Sequence, residues 1–208
     1  MSTVRTMIRV AVLDDHPAVR AGVQAILAPQ PDLIAVGSAA DEEQVWPLLR
    51  RTRPDVIVLD VHHPGRDGLA LCLDIKRRIQ PPAIVLYPAS MPDALLVAAV
   101  VAGADAVVAK SSSTGALLEA IREVARAPRT LPISHHMRVR AAARLDAADH
   151  AILAMRLAGD SGADIGAVLG LPPSEIAARI AAIVAALASA GPSSTEPRRE
   201  PALVRSVA

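Results

Sequence analysis

The 208-residue sequence contains no phenylalanine, one tryptophan (Trp46), one tyrosine (Tyr87) and one cysteine. Hydrophobic residues nevertheless make up 52% of the chain, so its core must be built from Ala, Val, Leu and Ile. The lone thiol, Cys72, excludes an intrachain disulfide and suits a reducing compartment. A formal net charge of +1 gives the molecule no strong overall field towards nucleic acid or anionic lipid.

No targeting or membrane-spanning segment is expected from the sequence. The first residues, MSTVRTMIRV, do not resemble a signal peptide, because arginines interrupt them and the acidic pair Asp14-Asp15 follows. The longest apolar stretch, near residues 94–109, is interrupted by Gly103 and Asp105 and falls short of the ~18 uncharged residues of a membrane helix. We therefore expect a soluble cytoplasmic protein without membrane contacts.

Short aliphatic runs alternate with helical periodicity over residues 1–126. The runs that we interpret as buried parallel strands are Ile8–Leu13, Leu33–Val36, Asp55–Leu59, Ala83–Leu86 and Ala106–Ala109. The helical stretches are Ala18–Leu27, Glu42–Arg51, Gly68–Ile79, Pro92–Ala102 and Thr114–Ala125, with Asp41 and Ser113 as N-caps. Strands that are each followed by a helix predict an α/β fold with an open, five-stranded, doubly wound parallel sheet.

The pattern changes after residue 126. Residues 127–144, with Pro128, Pro132 and several basic side chains, are interpreted as a linker. Residues 145–190 then show three short helices and predict a small all-α domain. The predicted helices are Ala147–Leu157, Ser161–Leu169 and Pro173–Ala188, with Gly159 and Gly170 at helix ends and Ser161 and Ser174 as caps. Residues 191–208 are rich in Pro, Ser and charge and are predicted to be disordered.

An acidic pocket is predicted at one edge of the sheet. Asp14 and Asp15 follow the first strand, Asp60 follows the third, and Lys110 follows the fifth. Ligands of doubly wound sheets bind at the carboxyl ends of the strands, where these four residues would meet. Crowded carboxylates repel one another unless a cation intervenes, and oxygen ligands suit Mg²⁺. The alternative, in which the acids only cap helices and meet solvent, accounts for one aspartate more easily than for this constellation.

Three segments resemble the receiver domain of bacterial two-component response regulators, which has a flavodoxin-like fold. They are VAVLDDHPAVRAGV, VIVLDVHHPGRDGL and GADAVVAK. The resemblance implies that Asp60 accepts a phosphoryl group from a sensor histidine kinase. It also implies that Asp14 and Asp15 bind Mg²⁺ together with Asp60 and the backbone carbonyl of His62, and that Lys110 contacts the phosphoryl group.

The chain departs from the family pattern at several positions. Pro88 stands where a Ser or Thr is usual after the fourth strand, and it offers neither a hydroxyl nor an N–H group. Val107 replaces the switch aromatic of the fifth strand, which puts the usual coupling of phosphorylation to the fourth helix and fifth strand in question. His63 stands where Met is common, and beside His62 it leaves a transition-metal site as a minor alternative.

The fourth predicted helix is apolar nearly all round, with the sequence DALLVAAVVAGA. An exposed aliphatic face there would be a partner surface, and a homodimer contact through Leu96 and Val100 is one interpretation. The other is that an alanine-rich helix looks apolar without exposing much area. Both stay open at this point.

The segment LDAADHAILAMRLAGDSGADIGAVLGLPPSEIAARIAAIVAALA resembles the helix-turn-helix of the LuxR/NarL class. The resemblance places Ser174, Ala178, Arg179 and Ala182 on the DNA-facing side of the third helix. Yet Arg179 is the only basic residue of that helix, and five acidic against two basic residues give residues 145–190 a net charge of −3. Few phosphate contacts mean weak DNA binding at moderate salt.

Two functions therefore remain. The first is a response regulator that is phosphorylated on Asp60 and regulates transcription through its helix-turn-helix domain. The second is an atypical regulator with weak or no DNA binding, which acts as a phosphorylation-independent dimerisation or interaction module. An enzyme is not expected, because phosphatases of the haloacid dehalogenase type carry an acid two residues after the nucleophile, where this chain has His62.

Overall fold

The computed structural model describes residues 7–63, 66–127 and 131–189. Its strands are β1 (Ile8–Leu13), β2 (Leu33–Ala39), β3 (Val56–Leu59), β4 (His62–His63), β5 (Arg66–Asp67), β6 (Ala83–Leu86) and β7 (Ala106–Val107). Five of them form one parallel sheet in the order β2-β1-β3-β6-β7, while β4 and β5 pair as a small antiparallel hairpin after β3. The predicted five-stranded, doubly wound sheet is confirmed.

The helices lie close to their predicted positions. They are α1 (Pro17–Leu27), α2 (Glu42–Thr52), α3 (Gly68–Lys76), α4 (Asp93–Ala102), α5 (Thr114–Arg126), α6 (His135–Ala142), α7 (Ala147–Ala158), α8 (Gly162–Leu169) and α9 (Pro173–Ala188). The largest difference in a predicted helix is in α3, which ends at Lys76 and not at Ile79, whose side chain is almost fully exposed.

The two faces of the sheet carry separate aliphatic cores, because successive strand side chains point to opposite faces. Ile57 and Leu59 of β3 belong to the core shared with α2, α3 and α4. Val56 and Val58 belong to the core shared with α1 and α5. All four residues of β3 are buried, so this central strand holds the two layers together.

The helix caps follow the sequence with one exception. Asp41 accepts a hydrogen bond from the backbone N–H of Gln44, and Ser113 accepts one from Ala116. Ser161 forms a reciprocal capping box with Asp164. The prediction of Ser174 as a cap is wrong. A proline opens α9 one residue earlier, so Ser174 lies inside the first turn and makes no capping bond.

The segment predicted as a linker, residues 127–144, contains the helix α6. Ser134 caps this helix, accepting a hydrogen bond from the N–H of Met137, and the buried Ala141 anchors it. The basic side chains that broke the apolar pattern are exposed on α6, which is why periodicity did not reveal it. The domain boundaries at residues 126, 144 and 190 stay predictions.

Helix α4 does not present the exposed aliphatic face that its sequence left open. Leu96 and Val100 are half-buried, and Val97, Val101 and Ala102 are buried. The helix packs against α3 and also against α6, α7 and α9 of the same chain. A helix that is apolar all round is a buried helix, and here the C-terminal helices bury it. A homodimer contact through Leu96 and Val100 stays a prediction, and in this arrangement those residues already have intrachain neighbours.

The predicted disordered segment, residues 191–208, lies outside the described residues. Within the described part of the chain, no single helix is long and apolar enough to cross a membrane. The consecutive helices α8 and α9 reach that length and apolarity only together, and they are bent by 114° at their junction.

Candidate functional site: an acidic pocket at the strand ends

The ends of β1 and β3 place three carboxylates side by side. These strands are neighbours in register, and the backbone N–H of Asp60 donates to the carbonyl of Leu13 at 2.8 Å. Asp14 and Asp60 are 1% and 2% exposed, while Asp15 is half-buried. Parallel pairing therefore brings together residues that are more than forty positions apart, as the sequence predicts.

Lys110 closes the pocket from the other edge of the sheet. Strand β7 ends at Val107, and the N–H of Lys110 donates to the carbonyl of Pro88 at 2.7 Å. Its Nζ lies 2.8 Å from Asp14 Oδ2 and 2.9 Å from Asp60 Oδ2. Burial acts to lower the pKa of Lys110, but hydrogen bonds to the two aspartates and their negative charge outweigh it, so the pKa lies above its ordinary value. The ammonium is therefore charged at neutral pH.

One lysine does not neutralise this pocket. Ligand atoms of Asp14, Asp15, His16 and Asp60 lie within 4.8 Å of one another. Among the described residues, Asp60 Oδ1 is buried and has no hydrogen-bond partner. Opposite ligands of an octahedral Mg²⁺ are about 4.2 Å apart, so this spacing fits a single cation after small adjustments. The donor set and the unpaired oxygen both fit a divalent metal. His62 lies in β4, two residues after Asp60, and its predicted carbonyl ligand stays a prediction.

Two residues that the sequence analysis did not single out hold the acidic loop after β1. Nδ1 of His16 lies 2.5 Å from Asp15 Oδ1, and its backbone N–H donates to Asp14 Oδ1 at 2.9 Å. The guanidinium of Arg20, one turn into α1, donates to the carbonyls of Asp14 and Asp15 at 2.7 and 3.0 Å. Their positions in the sequence could have identified them, because both residues follow the acidic pair within six positions.

Gly68 is the third residue that sequence reasoning missed. A Cβ atom at this position would lie 2.2 Å from the backbone oxygen of Asp60 and 2.8 Å from Cα of Val61. Its N–H also donates to the carbonyl of Val61 at 2.8 Å. Only glycine lets the start of α3 approach the backbone at Asp60 this closely. The sequence pattern that could have identified it is the glycine of the RDGL segment, which stands at the start of an apolar helix.

The departures from the family pattern lie close to the pocket. Pro88 is buried, follows β6 and uses its carbonyl to accept from Lys110. Ala89 and Ser90 after it are exposed. Val107 is a half-buried residue of β7 that packs against the core of α3 and α4. The loop from β6 to α4 thus has neither a hydroxyl nor an N–H at residue 88.

The four predicted DNA-facing residues all lie on α9, away from the acidic pocket. Ser174, Ala178 and Ala182 are exposed on α9, as predicted. Arg179 is not free, because its guanidinium lies 2.6–2.8 Å from Asp149 of α7. The exposed face of α9 is therefore small and uncharged at these positions, and the single basic group of the helix is already paired.

Comparison with known proteins agrees with this architecture. Residues 10–122 match the response regulator receiver domain family. The transcriptional regulatory protein LiaR of Bacillus subtilis is 33% identical over 120 residues, which cover 58% of this chain and 57% of LiaR. The chain thus spans a little over half the length of such curated relatives.

Solved structures extend the comparison. A LuxR-family two-component response regulator from Aurantimonas is 31% identical, with a TM-score of 0.56, and the match covers 60% of this chain and 89% of that one. RcsB of Salmonella enterica bound to promoter rprA has a TM-score of 0.56 over 89% of this chain and 95% of its own, but at 20% identity this shows the fold alone. The acidic pocket lies within the matched receiver region, and the chain belongs to the LuxR-type response regulator family.

Proposed function

We propose that this protein is a response regulator whose Asp60 accepts a phosphoryl group from a sensor histidine kinase, with Mg²⁺ held by Asp14, Asp15 and Asp60. The helical region, residues 145–190, is its output, which acts in transcription. The protein is a substrate and switch in this scheme and does not turn over a substrate of its own. Homodimerisation is part of the proposal.

One observation carries the proposal: Lys110 bridges two buried aspartates, while Asp60 Oδ1 has no hydrogen-bond partner in the part of the chain that the structure describes. An unpaired buried carboxylate oxygen costs free energy unless a ligand satisfies it. A cation and a phosphoryl group are the ligands that three carboxylates and an ammonium suit together.

The chemistry assigned to this chain is simple. A carboxylate oxygen of Asp60 forms a bond to phosphorus while the bond from phosphorus to the imidazole nitrogen of the kinase breaks, and the departing imidazole takes up a proton. Lys110 pairs with a phosphoryl oxygen as a point charge. Arg20 and the N–H of His16 hold the acidic loop in place. Bound Mg²⁺ would supply positive charge that offsets the carboxylates and the incoming phosphoryl group.

Fluoroberyllate binding tests the proposal directly, because this anion forms a phosphoryl-like adduct with a carboxylate. With Mg²⁺ present, we expect the wild-type protein to give a saturable binding heat in calorimetry. Asp60→Asn should give none, since it removes the acceptor oxygen. Asp93→Asn, at a half-exposed aspartate outside the cluster, is the matched control and should bind like wild type. Equal heats from wild type and Asp60→Asn would refute the proposed acceptor.

A second candidate function is favoured by the ion pair between Arg179 and Asp149. Because α9 lacks a free basic group among its described residues and exposes the acidic Glu175, the helical region could serve as an interaction module with weak or no DNA binding. Both candidates keep the acidic pocket, but the second does not use phosphorylation as its switch, and the two differ in what α9 contacts.

Salt dependence separates these candidates. In fluorescence anisotropy with random duplex DNA, the interaction module predicts weak binding that changes little between 50 and 200 mM salt, with less than about a twofold effect of Arg179→Ala. Asp149→Asn, which frees Arg179 and removes a negative charge, is the paired variant. A steep fall in affinity with salt, together with a large loss in Arg179→Ala, would instead support direct DNA binding by α9.

A further inference from the structure

Helix α4 is buried on two sides by different parts of the chain. Its sequence from Ala94 to Ala102 has no charged residue, and none of these residues is exposed. Helix α3 packs beside it, while α6, α7 and α9 pack against it from the C-terminal region. In a helix at the surface of a sheet, the outer face is normally polar. In this chain, the C-terminal helices pack against that outer face and shield it from solvent.

The buried contacts form one continuous core. A single cluster of buried apolar residues runs from Leu59 of β3 through Val101 of α4 to Ile180 and Leu187 of α9. Interfaces between domains that separate easily are usually small and polar. Separation at α4 would expose aliphatic side chains on both sides, so the apolar contact opposes it.

Directional hydrogen bonds also join the two sides of this contact. Arg156 of α7 donates from Nε and Nη2 to the carbonyl of Val101, at 3.2 and 2.8 Å, near the C-terminus of α4. Its Nη1 donates to the carbonyl of Asp160 at 2.9 Å. Arg77, at the end of α3, donates to the carbonyl of Ala177 in α9 at 2.7 Å. A guanidinium beside the last carbonyls of a helix is favoured by the helix dipole.

We propose that α6–α9 form a permanent cover on α4, so that the chain folds as one cooperative unit and stays closed when the pocket carries a phosphoryl group. The outward face of α9, defined by Ser174, Ala178 and Ala182, then stays accessible without release of the helical region. The statement about the phosphoryl-bound state rests on the proposed function; the statement about the cover does not.

The loop between the pocket and α4 explains why a phosphoryl group would leave the cover closed. A ligand shifts a conformational equilibrium only by the difference between its affinities for the two states. Pro88 is the second residue of this loop, has no N–H to donate, and accepts a hydrogen bond at its carbonyl from the backbone N–H of Lys110. To reverse a strongly closed equilibrium, a ligand must bind the open state about 10⁴-fold more tightly. Residue 88 therefore supplies no donated hydrogen bond from which such a preference could arise.

Hydrogen exchange of the full chain, read by mass spectrometry at increasing urea, tests the cover. We expect peptides from α4 and α9 to lose protection at the same urea concentration as the peptide containing β3. Loss of α9 protection at clearly lower urea, while β3 stays protected, would overturn the proposal. Arg156→Ala should move all three peptides together to lower urea, whereas Arg51→Ala, at an exposed arginine of α2, should move none.

A second arm adds Mg²⁺ and fluoroberyllate, with binding verified by calorimetry on the same sample. Exchange of α4 and α9 should then change less than twofold, and a tenfold or larger acceleration in both helices would show that the cover opens. If fluoroberyllate does not bind, the proposed function is refuted, and so is the proposal that the cover stays closed around a phosphorylated pocket. The urea experiment without ligand still decides whether the cover is permanent.

Discussion

Replacing Gly68 by alanine is expected to destabilise the protein by about 3 kcal/mol, near the upper end of the cost of forcing a methyl group into a packed site. The added Cβ would meet the backbone oxygen of Asp60 at 2.2 Å and Cα of Val61 at 2.8 Å. A flexible side chain could move aside, but these atoms belong to the backbone at the end of the central strand. Either α3 or Asp60 must shift, so fluoroberyllate binding should weaken as well.

Urea unfolding measures this effect, and the chain offers a matched control. Gly22 lies exposed inside α1, and a Cβ there would meet nothing within 4 Å. Gly22→Ala should therefore stabilise the protein by roughly 0.5–1 kcal/mol, through helix propensity alone. Opposite signs for the two substitutions are the expected result. A Gly68→Ala protein as stable as wild type, with unchanged fluoroberyllate binding, would mean that α3 does not constrain the pocket.

The sheet and the pocket could be predicted from sequence because each rests on a local signal. Short aliphatic runs such as Val56–Leu59 indicate buried strands, and the charged residues that follow the first, third and fifth predicted strands mark their carboxyl ends. Parallel pairing then brings Asp14, Asp60 and Lys110 together without any further information. The chemistry of the pocket follows from strand order alone.

The pairing of Arg179, the presence of α6 and the packing of α4 could not be predicted, because they depend on contacts between distant residues or lack a local sequence pattern. Arg179 looks like a free basic group in the sequence, and only the packing of α7 beside α9 reveals Asp149 as its partner. Helix α6 is short and mostly exposed, so it has almost no apolar stripe to detect. The apolar surface of α4 could be read from the sequence. That the C-terminal helices pack against it could be seen only in the tertiary structure.

A small phosphodonor is expected to phosphorylate Asp60 without the kinase. With Mg²⁺ and acetyl phosphate, a carboxylate oxygen of Asp60 should take the phosphoryl group while the bond from phosphorus to the acetate oxygen breaks and acetate leaves. Asp60→Asn should abolish the transfer, because an amide oxygen is a far weaker nucleophile than a carboxylate. Removal of Mg²⁺ by a chelator should also abolish it, since the excess negative charge of the pocket would repel the donor.

Intact-mass spectrometry of the acetyl phosphate reaction, followed by peptide mapping, decides whether Asp60 is the phosphoacceptor. We expect a gain of one phosphoryl group on the peptide that contains Asp60, dependent on Mg²⁺ and reversed by hydroxylamine. Asp93→Asn should be labelled like wild type. No mass gain in the wild-type protein, or an equal gain in Asp60→Asn, would show that Asp60 does not accept the phosphoryl group.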